Sequence, residues 1–185
     1  MCKAFFLDRD GTINVDYDFV HKPEEWTFCE GAPEAIRMLN EQGFKVIVVT
    51  NQSGIARGHF SLQQVNELHD WVNQQLSDHG AKIDAFYVAP HHPQYDAEEL
   101  YDPADRKPGT GMFVKAAERY QIDFSQSHMA GDKITDLLPA LELGMQPYFV
   151  RSRFEESQDK NWLKSQDIGI YDSLHQIIKS VIASG

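Results

Sequence analysis

Two aspartates lie two residues apart in residues 8–12, which read DRDGT and directly follow an apolar run. That run, residues 3–7, is predicted to be a β-strand, and open α/β sheets bind ligands at the carboxyl ends of their strands. Asp8 and Asp10 could therefore supply a metal ligand, a nucleophile or a proton donor. The same string is also typical of an Asx turn, in which a carboxylate only caps the backbone.

Three further polar groups come after later predicted strands. Residues 50–54, TNQSG, offer a hydroxyl, amides and backbone N–H groups suited to an anion, although they could equally form a solvated turn. Lys107 precedes a predicted helix, and Asp132 comes after a fourth strand with Asp136 one helical turn on. Each charge alone is typical of a protein surface. Four such groups at successive strand ends indicate one shared site.

The chemistry that fits this set is phosphate transfer assisted by a hard cation. An unneutralised carboxylate repels a phosphate monoester strongly in a cleft of low dielectric constant. Mg²⁺ removes that conflict, and Asp8, Asp132 and the main-chain carbonyl of Asp10 are the oxygen ligands that it prefers.

The elements that must position these residues alternate as β-α-β-α. The near-continuous apolar runs predict a Rossmann-like parallel sheet sandwiched by helices in one domain, residues 1–185, with a loop insert at about residues 90–108. The predicted strands are residues 3–7, 45–49, 85–88, 128–130 and 148–150, with an edge strand near 168–171. The predicted helices are residues 33–42, 62–77, 111–120, 134–143 and 173–183. Too few residues separate Thr12 from the first helix for a separate cap domain.

Composition narrows the class of protein. The chain has 185 residues and a formal net charge of −11, so nucleic acid is not an expected partner. Cys2 and Cys29 cannot form a disulfide framework, and no stretch resembles a signal peptide or a membrane span. We expect a cytoplasmic, monomeric protein with no membrane partner.

The four motifs DRDGT, VVTNQSG, RKP and GDKITD resemble those of the haloacid dehalogenase superfamily of phosphotransferases, over roughly residues 4–136. The longer strings FLDRDGTIN, VVTNQSGIARG and RKPGTGM are similar to the D-glycero-D-manno-heptose 1,7-bisphosphate phosphatases, relatives of histidinol-phosphate phosphatases. The resemblance implies hydrolysis of a small phosphorylated sugar to the heptose 1-phosphate, a step toward ADP-heptose and the lipopolysaccharide core.

The resemblance also implies roles for individual residues. Asp8 would be the nucleophile, forming an aspartyl-phosphate, and Asp10 the general acid and base. Thr50 and Lys107 would hold phosphoryl oxygens. Asp8, the Asp10 carbonyl and Asp132 would bind Mg²⁺, supported by Asp136. The implied substrate-binding residues are Asp16, Tyr17, Asp18, Phe19, Asn51, Gln52, Ser53, Arg57, Arg106 and Lys133. Arg151 and Arg153, after the fifth strand, are further candidates for contacting substrate.

The sequence departs from its relatives at one place. They carry a zinc loop of the form C-x-H followed by C-x-C before the RKP motif, whereas residues 89–93 and 103–106 here read APHHP and PADR. The cysteine ligands are missing, so zinc is not supported. Whether His91, His92, Asp102 and Asp105 rebuild a metal site is left open.

Two alternatives remain from the sequence. The chemistry could serve histidinol phosphate, another small sugar phosphate or a 3′-phosphorylated DNA end, although the negative charge disfavours DNA. The chain could instead be a phospho-acceptor or an inactive phosphate-binding module. The second carboxylate, Asp10, argues against that interpretation, because storing an aspartyl-phosphate needs no acid or base.

Overall fold

The computed structural model describes residues 1–152 and 157–184. Its strands are β1 (Ala4–Leu7), β2 (Lys45–Asn51), β3 (Ala85–Ala89), β4 (His128–Gly131), β5 (Gln146–Val150) and β6 (Ile170–Tyr171). Its α-helices are α1 (Ala32–Glu41), α2 (Ser53–Ala56), α3 (Leu62–Ser77), α4 (Gly111–Tyr120), α5 (Ile134–Glu142), α6 (Ser157–Ser165) and α7 (Leu174–Ser184). The five predicted strands, the edge strand and the five predicted helices are all confirmed, and every predicted bound agrees with the observed one to within two residues.

The six strands form one parallel sheet in the order β3-β2-β1-β4-β5-β6. The chain builds outward from β1 to β3 on one side, then crosses to β4 and continues outward on the other. The central strand β1 is thus the switch point, where the loops after β1, β2 and β4 diverge and leave a crevice for ligands.

Alternate side chains of β1 face opposite layers. Phe5 and Leu7 pack in the core beneath α1, α3 and α7, and Ala4 and Phe6 pack in the core beneath α4, α5 and α6. All four are fully buried, as expected for a central strand covered on both faces. This double packing holds the carboxyl end of β1 rigidly in place.

Two helices are absent from the sequence predictions. Helix α2 has four residues, too few to show a period, and α6 has apolar residues only at Trp162 and Leu163, so it lacks an amphipathic stripe. The stretch between β1 and α1 contains one 3₁₀-helix, Pro23–Glu25, and no cap domain is present in the described part of the chain. None of the helices in these ranges has the length and apolar character needed to cross a membrane.

Candidate active site

The predicted site residues meet in a cavity of about 280 Å³ at the carboxyl ends of β1, β2 and β4. Four backbone segments converge there: the loop after β1 carries Asp8 and Asp10, the end of β2 carries Thr50, the segment before α4 carries Lys107, and the start of α5, after β4, carries Asp136. These residues are widely separated in the chain, and the parallel sheet brings them together because it aligns the strand ends.

Lys107 lines this cavity and is 4% exposed. Its Nζ donates to Asp8 Oδ1 at 2.6 Å and to the carbonyl of Val49 at 2.8 Å, and it pairs with Asp136 Oδ1 at 2.7 Å. Burial lowers the pKa of Lys107, but the charges of Asp136 and Asp8 outweigh it and raise the pKa above its ordinary value. The side chain therefore stays cationic at neutral pH.

Two sets of hydrogen bonds hold Lys107 and its partner Asp136 in place. Asn51, at the end of β2, donates its Nδ2 to the Lys107 carbonyl and accepts from the Lys107 N–H, both at 3.0 Å. Asp136 accepts from the Lys133 N–H at 3.0 Å and so caps the first turn of α5 with one oxygen while the other meets Lys107. Asn51, predicted to bind substrate, thus lines the cavity while its amide holds the backbone of Lys107.

Three carboxylates form the acidic part of the site. Asp8, Asp132 and Asp136 are buried, and one oxygen from each lies within 4.8 Å of the others. Neither carboxylate oxygen of Asp132 meets the geometry of a hydrogen bond with a described residue, although Ser152 lies near enough to lower the Asp132 pKa. Such a buried, unsatisfied oxygen set suits a hard divalent cation. Gly11 makes room for the Asp132 carboxylate, because a Cβ on residue 11 would lie 2.4 Å from Asp132 Oδ2. The φ of Gly11 is +87°, which also favours glycine at this position.

The crowding of negative charge raises two pKa values. Burial and the charge of Asp136 raise the pKa of Asp8 to about 6, against the lowering effect of Lys107. Burial and the charges of Asp8 and Asp136 raise the pKa of Asp132 to about 8. Lys133 also lines the cavity; burial lowers its pKa, but the charges of Asp132 and Asp8 raise it overall.

Asp10 is held away from this acidic group by neighbours of its own. Its carboxylate accepts from Arg9 Nη2 at 2.8 and 2.9 Å, from Asn14 Nδ2 at 3.0 Å and from Gln52 Nε2 at 2.8 Å. The same Gln52 nitrogen donates to Thr50 Oγ1 at 2.9 Å. Burial raises the pKa of Asp10, but Arg9 and these donors outweigh it and leave the pKa below its usual value. Sequence reasoning missed Arg9, although its place between the two aspartates was a signal.

The remaining predicted substrate residues come from the segments after β1 and β2 and from the segment before α4. Tyr17 and Phe19 are 57% and 41% exposed, in the segment where Asp16 accepts from the Asp18 N–H at 2.9 Å. Arg57 lies over the Phe19 ring, with 5.6 Å between its Cζ and the ring centroid. Ser53 and Arg106 line the cavity. The described residues that line the cavity do not include Asp16, Tyr17, Asp18, Phe19 or Arg57.

The other candidates lie apart from the acidic group. His91 pairs with Asp96 at 3.4 Å, Asp102 caps the Ala104 N–H at 2.9 Å, and Asp105 pairs with Lys115 at 2.6 Å. His92 packs against Tyr95 with ring centroids 4.9 Å apart and the ring planes tilted by 40°. Arg151 pairs with Asp172 at 2.8 Å, and Arg153 lies outside the described residues.

The variant Asp132→Asn is expected to raise the stability of the protein in chelator-containing buffer. The folded pKa of about 8 lies above the ordinary 3.8, so ionising Asp132 costs stability from about pH 4 upward, and the cost grows until about pH 8. At pH 7 the Asp132→Asn variant should have a Tm ~2–4 °C above that of the wild type, corresponding to about 1 kcal/mol or more. Below pH 4 the two proteins should have the same Tm. Thermal denaturation across this pH range measures the effect.

Asp84→Asn is the matched control, with the opposite expected sign. Burial raises the pKa of Asp84, but the Val46 N–H at 2.9 Å and Lys45 Nζ at 3.0 Å outweigh it and lower the pKa. Ionised Asp84 thus stabilises the fold above its ordinary pKa, and the amide should lower Tm at pH 7. A lower Tm for Asp132→Asn as well would contradict the inferred repulsion among the three carboxylates.

Comparison with known proteins finds matching family models and close relatives. The chain matches the family model for polynucleotide kinase 3 phosphatase over residues 3–137 and a HAD-hydrolase-like model over residues 104–177. It is 44% identical over 144 residues to the D-glycero-beta-D-manno-heptose-1,7-bisphosphate 7-phosphatase of Haemophilus ducreyi, covering 77% of this chain and 79% of that one. It is 45% identical over 139 residues to the enzyme of the same name from Escherichia coli K12, covering 75% and 73%.

A solved structure extends the likeness to the whole fold. The crystal structure of D,D-heptose 1.7-bisphosphate phosphatase from B. bronchiseptica, complexed with magnesium and phosphate, superposes with a TM-score of 0.83 at 31% identity and covers 99% of both chains. The fold, the residues at the strand ends and the sequence identity therefore all indicate the same family. The chain belongs to the haloacid dehalogenase (HAD) superfamily of phosphatases, the phosphoric monoester hydrolases that its four motifs resemble.

Proposed function

We propose that this chain is a Mg²⁺-dependent phosphatase that removes the 7-phosphate of D-glycero-β-D-manno-heptose 1,7-bisphosphate. The observation that carries the proposal is the buried contact of Asp8 with Lys107, next to the carboxylates of Asp132 and Asp136. The names of the curated relatives, at 44–46% identity, support this substrate over other phosphorylated sugars. The reaction would be one step in making the heptose precursor of lipopolysaccharide.

The cation would be held by Asp8, Asp132 and the main-chain carbonyl of Asp10, with Asp136 close by. The unsatisfied oxygens of Asp132 and the raised pKa values of Asp8 and Asp132 fit such a group. When bound, Mg²⁺ supplies positive charge that offsets the repulsion between these carboxylates and the phosphate. A magnesium-bound relative supports the choice of metal.

The chain's own residues would carry the reaction in two steps. Asp10 is ionised in the free protein, so the proton for the leaving group would arrive with the phosphate monoester and pass to Asp10. A carboxylate oxygen of Asp8 attacks phosphorus, the bond from phosphorus to the sugar oxygen breaks, and Asp10 gives that oxygen this proton. Asp10 then takes a proton from water, which attacks the aspartyl-phosphate and releases phosphate and free Asp8. Lys107 and Thr50 would hold the phosphoryl oxygens, so that preorganised charge supplies much of a barrier reduction of ~20 kcal/mol.

Residues in and near the cavity would contact the rest of the sugar. Arg106 and Arg57 would take the second phosphate, and Lys133 would hold the first; Arg106 and Lys133 line the cavity, and Arg57 lies over the Phe19 ring. Phe19 and Tyr17 expose apolar rings toward solvent, as suits a sugar face.

A phosphate-release panel tests the substrate. Heptose 1,7-bisphosphate, histidinol phosphate, fructose 1,6-bisphosphate and a 3′-phosphorylated DNA oligonucleotide are compared by kcat/KM, each with Mg²⁺ and with chelator. The DNA arm is included because the matched family model is named for a polynucleotide phosphatase. We expect at least about 10²-fold preference for the heptose and no turnover in chelator. A higher kcat/KM for another compound would reassign the substrate, and chelator-resistant turnover would remove the metal.

A further inference from the structure

Arg9 is the largest fully buried side chain in the described part of the protein. A guanidinium cannot lose its charge, so burying it is costly unless every donor is used well. Here Nη2 reaches both oxygens of Asp10, at 2.8 and 2.9 Å, and the carbonyl of Val20 at 2.7 Å, and Nε lies 3.2 Å from Asp10 Oδ2. Nη1 lies 3.4 Å from Nε2 of His69. The guanidinium thus joins three separate parts of the molecule.

His69, on helix α3, is the residue that contacts Nη1 of Arg9. It is 3% exposed, and its ring lies parallel to Phe86 of β3 with centroids 4.1 Å apart. Burial and the charge of Arg9 lower the pKa of His69 to about 3, so the ring is neutral. Arginine has only donors, so we assign the lone pair to Nε2 and the proton to Nδ1. Nδ1 has no hydrogen-bond partner among the described residues, so Arg9 provides the polar contact of a ring that also stacks on Phe86.

The three parts that Arg9 joins all bear on the reaction. Asp10 is the proposed acid, and its carboxylate direction is set mainly by the two-pronged contact with Arg9. The Val20 carbonyl directly follows Phe19 and its neighbours, which are proposed to contact the sugar. The third, His69, anchors the guanidinium to a packed helix. A long side chain would otherwise lose its orientation, and a carboxylate misplaced by about 1 Å transfers a proton poorly.

We propose that Arg9 and His69 are a positioning pair that aims the carboxyl group of Asp10 at the leaving-group oxygen. The proposal rests on the proposed function, because it needs Asp10 to act as the general acid. Neither residue touches substrate: Arg9 acts through Asp10, and His69 acts through Arg9. The pair matters most when the leaving group needs a proton.

The test compares two leaving groups in single-turnover experiments with excess enzyme, which isolate the first chemical step. One ester is the best sugar phosphate of the panel, whose alkoxide needs a proton. The other is 4-nitrophenyl phosphate, whose phenolate needs almost none. We expect Arg9→Gln to slow release from the sugar phosphate about 10²-fold and from the aryl phosphate less than about 10-fold. The KM for the sugar phosphate should change less than about 3-fold, since ground-state binding is intact.

Two variants of His69 test its part in the positioning pair. His69→Phe keeps a ring against Phe86 and removes the acceptor, and we expect a bias in the same direction of about 3- to 10-fold. His69→Gln restores an acceptor oxygen and should recover most of the loss. The matched control is Asn73→Ala, one turn further along α3, which removes the contacts of 2.9 and 3.0 Å to the Ile83 backbone. That change should lower Tm without any leaving-group bias.

The outcomes separate this proposal from the function on which it rests. If Asp10→Asn shows strong leaving-group bias while Arg9→Gln and His69→Phe slow both esters equally, the positioning pair is overturned and the acid role of Asp10 stands. If Asp10→Asn shows no bias, both are overturned. Should Arg9→Gln fail to fold, the comparison of His69→Phe with His69→Gln still decides, since equal rates on the sugar phosphate contradict the proposal.

Discussion

Asp8→Asn is expected to lower phosphate release by at least about 10⁴-fold while leaving the fold intact. An amide oxygen is a poor nucleophile and cannot form the aspartyl-phosphate. The fold should survive, because Asp8 is a buried carboxylate whose pKa is raised to about 6 and Lys107 keeps its contact with Asp136. Phosphate release measures the loss, and intact-protein mass spectrometry after rapid quench should find the phosphoryl adduct on the wild type only.

The matched control is Asp70→Asn, which makes the same chemical change on the exposed side of α3. Its activity and Tm should equal those of the wild type, because surface substitutions away from special contacts have small effects. If Asp8→Asn kept a substantial fraction of the wild-type rate in the same preparation, covalent catalysis at Asp8 would be wrong. Thermal denaturation accompanies both variants, so that lost activity is not confused with lost folding.

Much of the site could be predicted because the fold is built from parallel strands. Near-continuous apolar runs locate β1, β2 and β4, and parallel strands bring the residues just after them to one edge of the sheet. Asp8, Thr50 and Asp132 are therefore expected near each other before any coordinates are known. The structure confirms that expectation for the carboxylates of Asp8 and Asp132, which meet with Asp136.

The contacts that orient these groups could not be predicted in the same way. Arg9 meets His69 across 60 residues of chain, and Asn51 clamps Lys107 across 56. The spacing of residues in the sequence does not predict such pairs, because each pair depends on which side chains the folded elements place opposite one another. The Asp10 carboxylate is a further case, because Gln52 reaches it across 42 residues of chain and joins Arg9 and Asn14 from the loop of Asp10 itself.

Lys107→Met is expected to abolish activity and to destabilise the protein strongly. Methionine fills much of the same space but leaves the buried carboxylates of Asp8 and Asp136 without their cation. Removing one partner of a buried ion pair costs about 3–5 kcal/mol, which corresponds to a fall in Tm of roughly 10 °C in magnesium-free buffer. Loss of a charge aimed at the phosphoryl group should lower kcat/KM by at least about 10³-fold. Thermal denaturation and phosphate release measure the two effects.

The same substitution at a surface ion pair is the control. Lys115 pairs with Asp105 at 2.6 Å, but both side chains are about half exposed, so Lys115→Met should cost no more than about 1 kcal/mol and leave activity unchanged. An equal loss of stability at Lys107 and Lys115 would mean that burial of the carboxylates is not the cause.

A double variant separates the two roles of Lys107. In Lys107→Met/Asp136→Asn one of the stranded carboxylates is neutral, so the repulsion that raises the pKa of Asp8 also falls. We expect this variant to recover a large part of the lost stability, as residues in one charged network do not contribute additively. Activity should stay lost, because no cation is restored beside the phosphoryl oxygens. Recovery of turnover together with stability would show that Lys107 serves only the fold, and the proposed hold of this lysine on the phosphate would then be wrong.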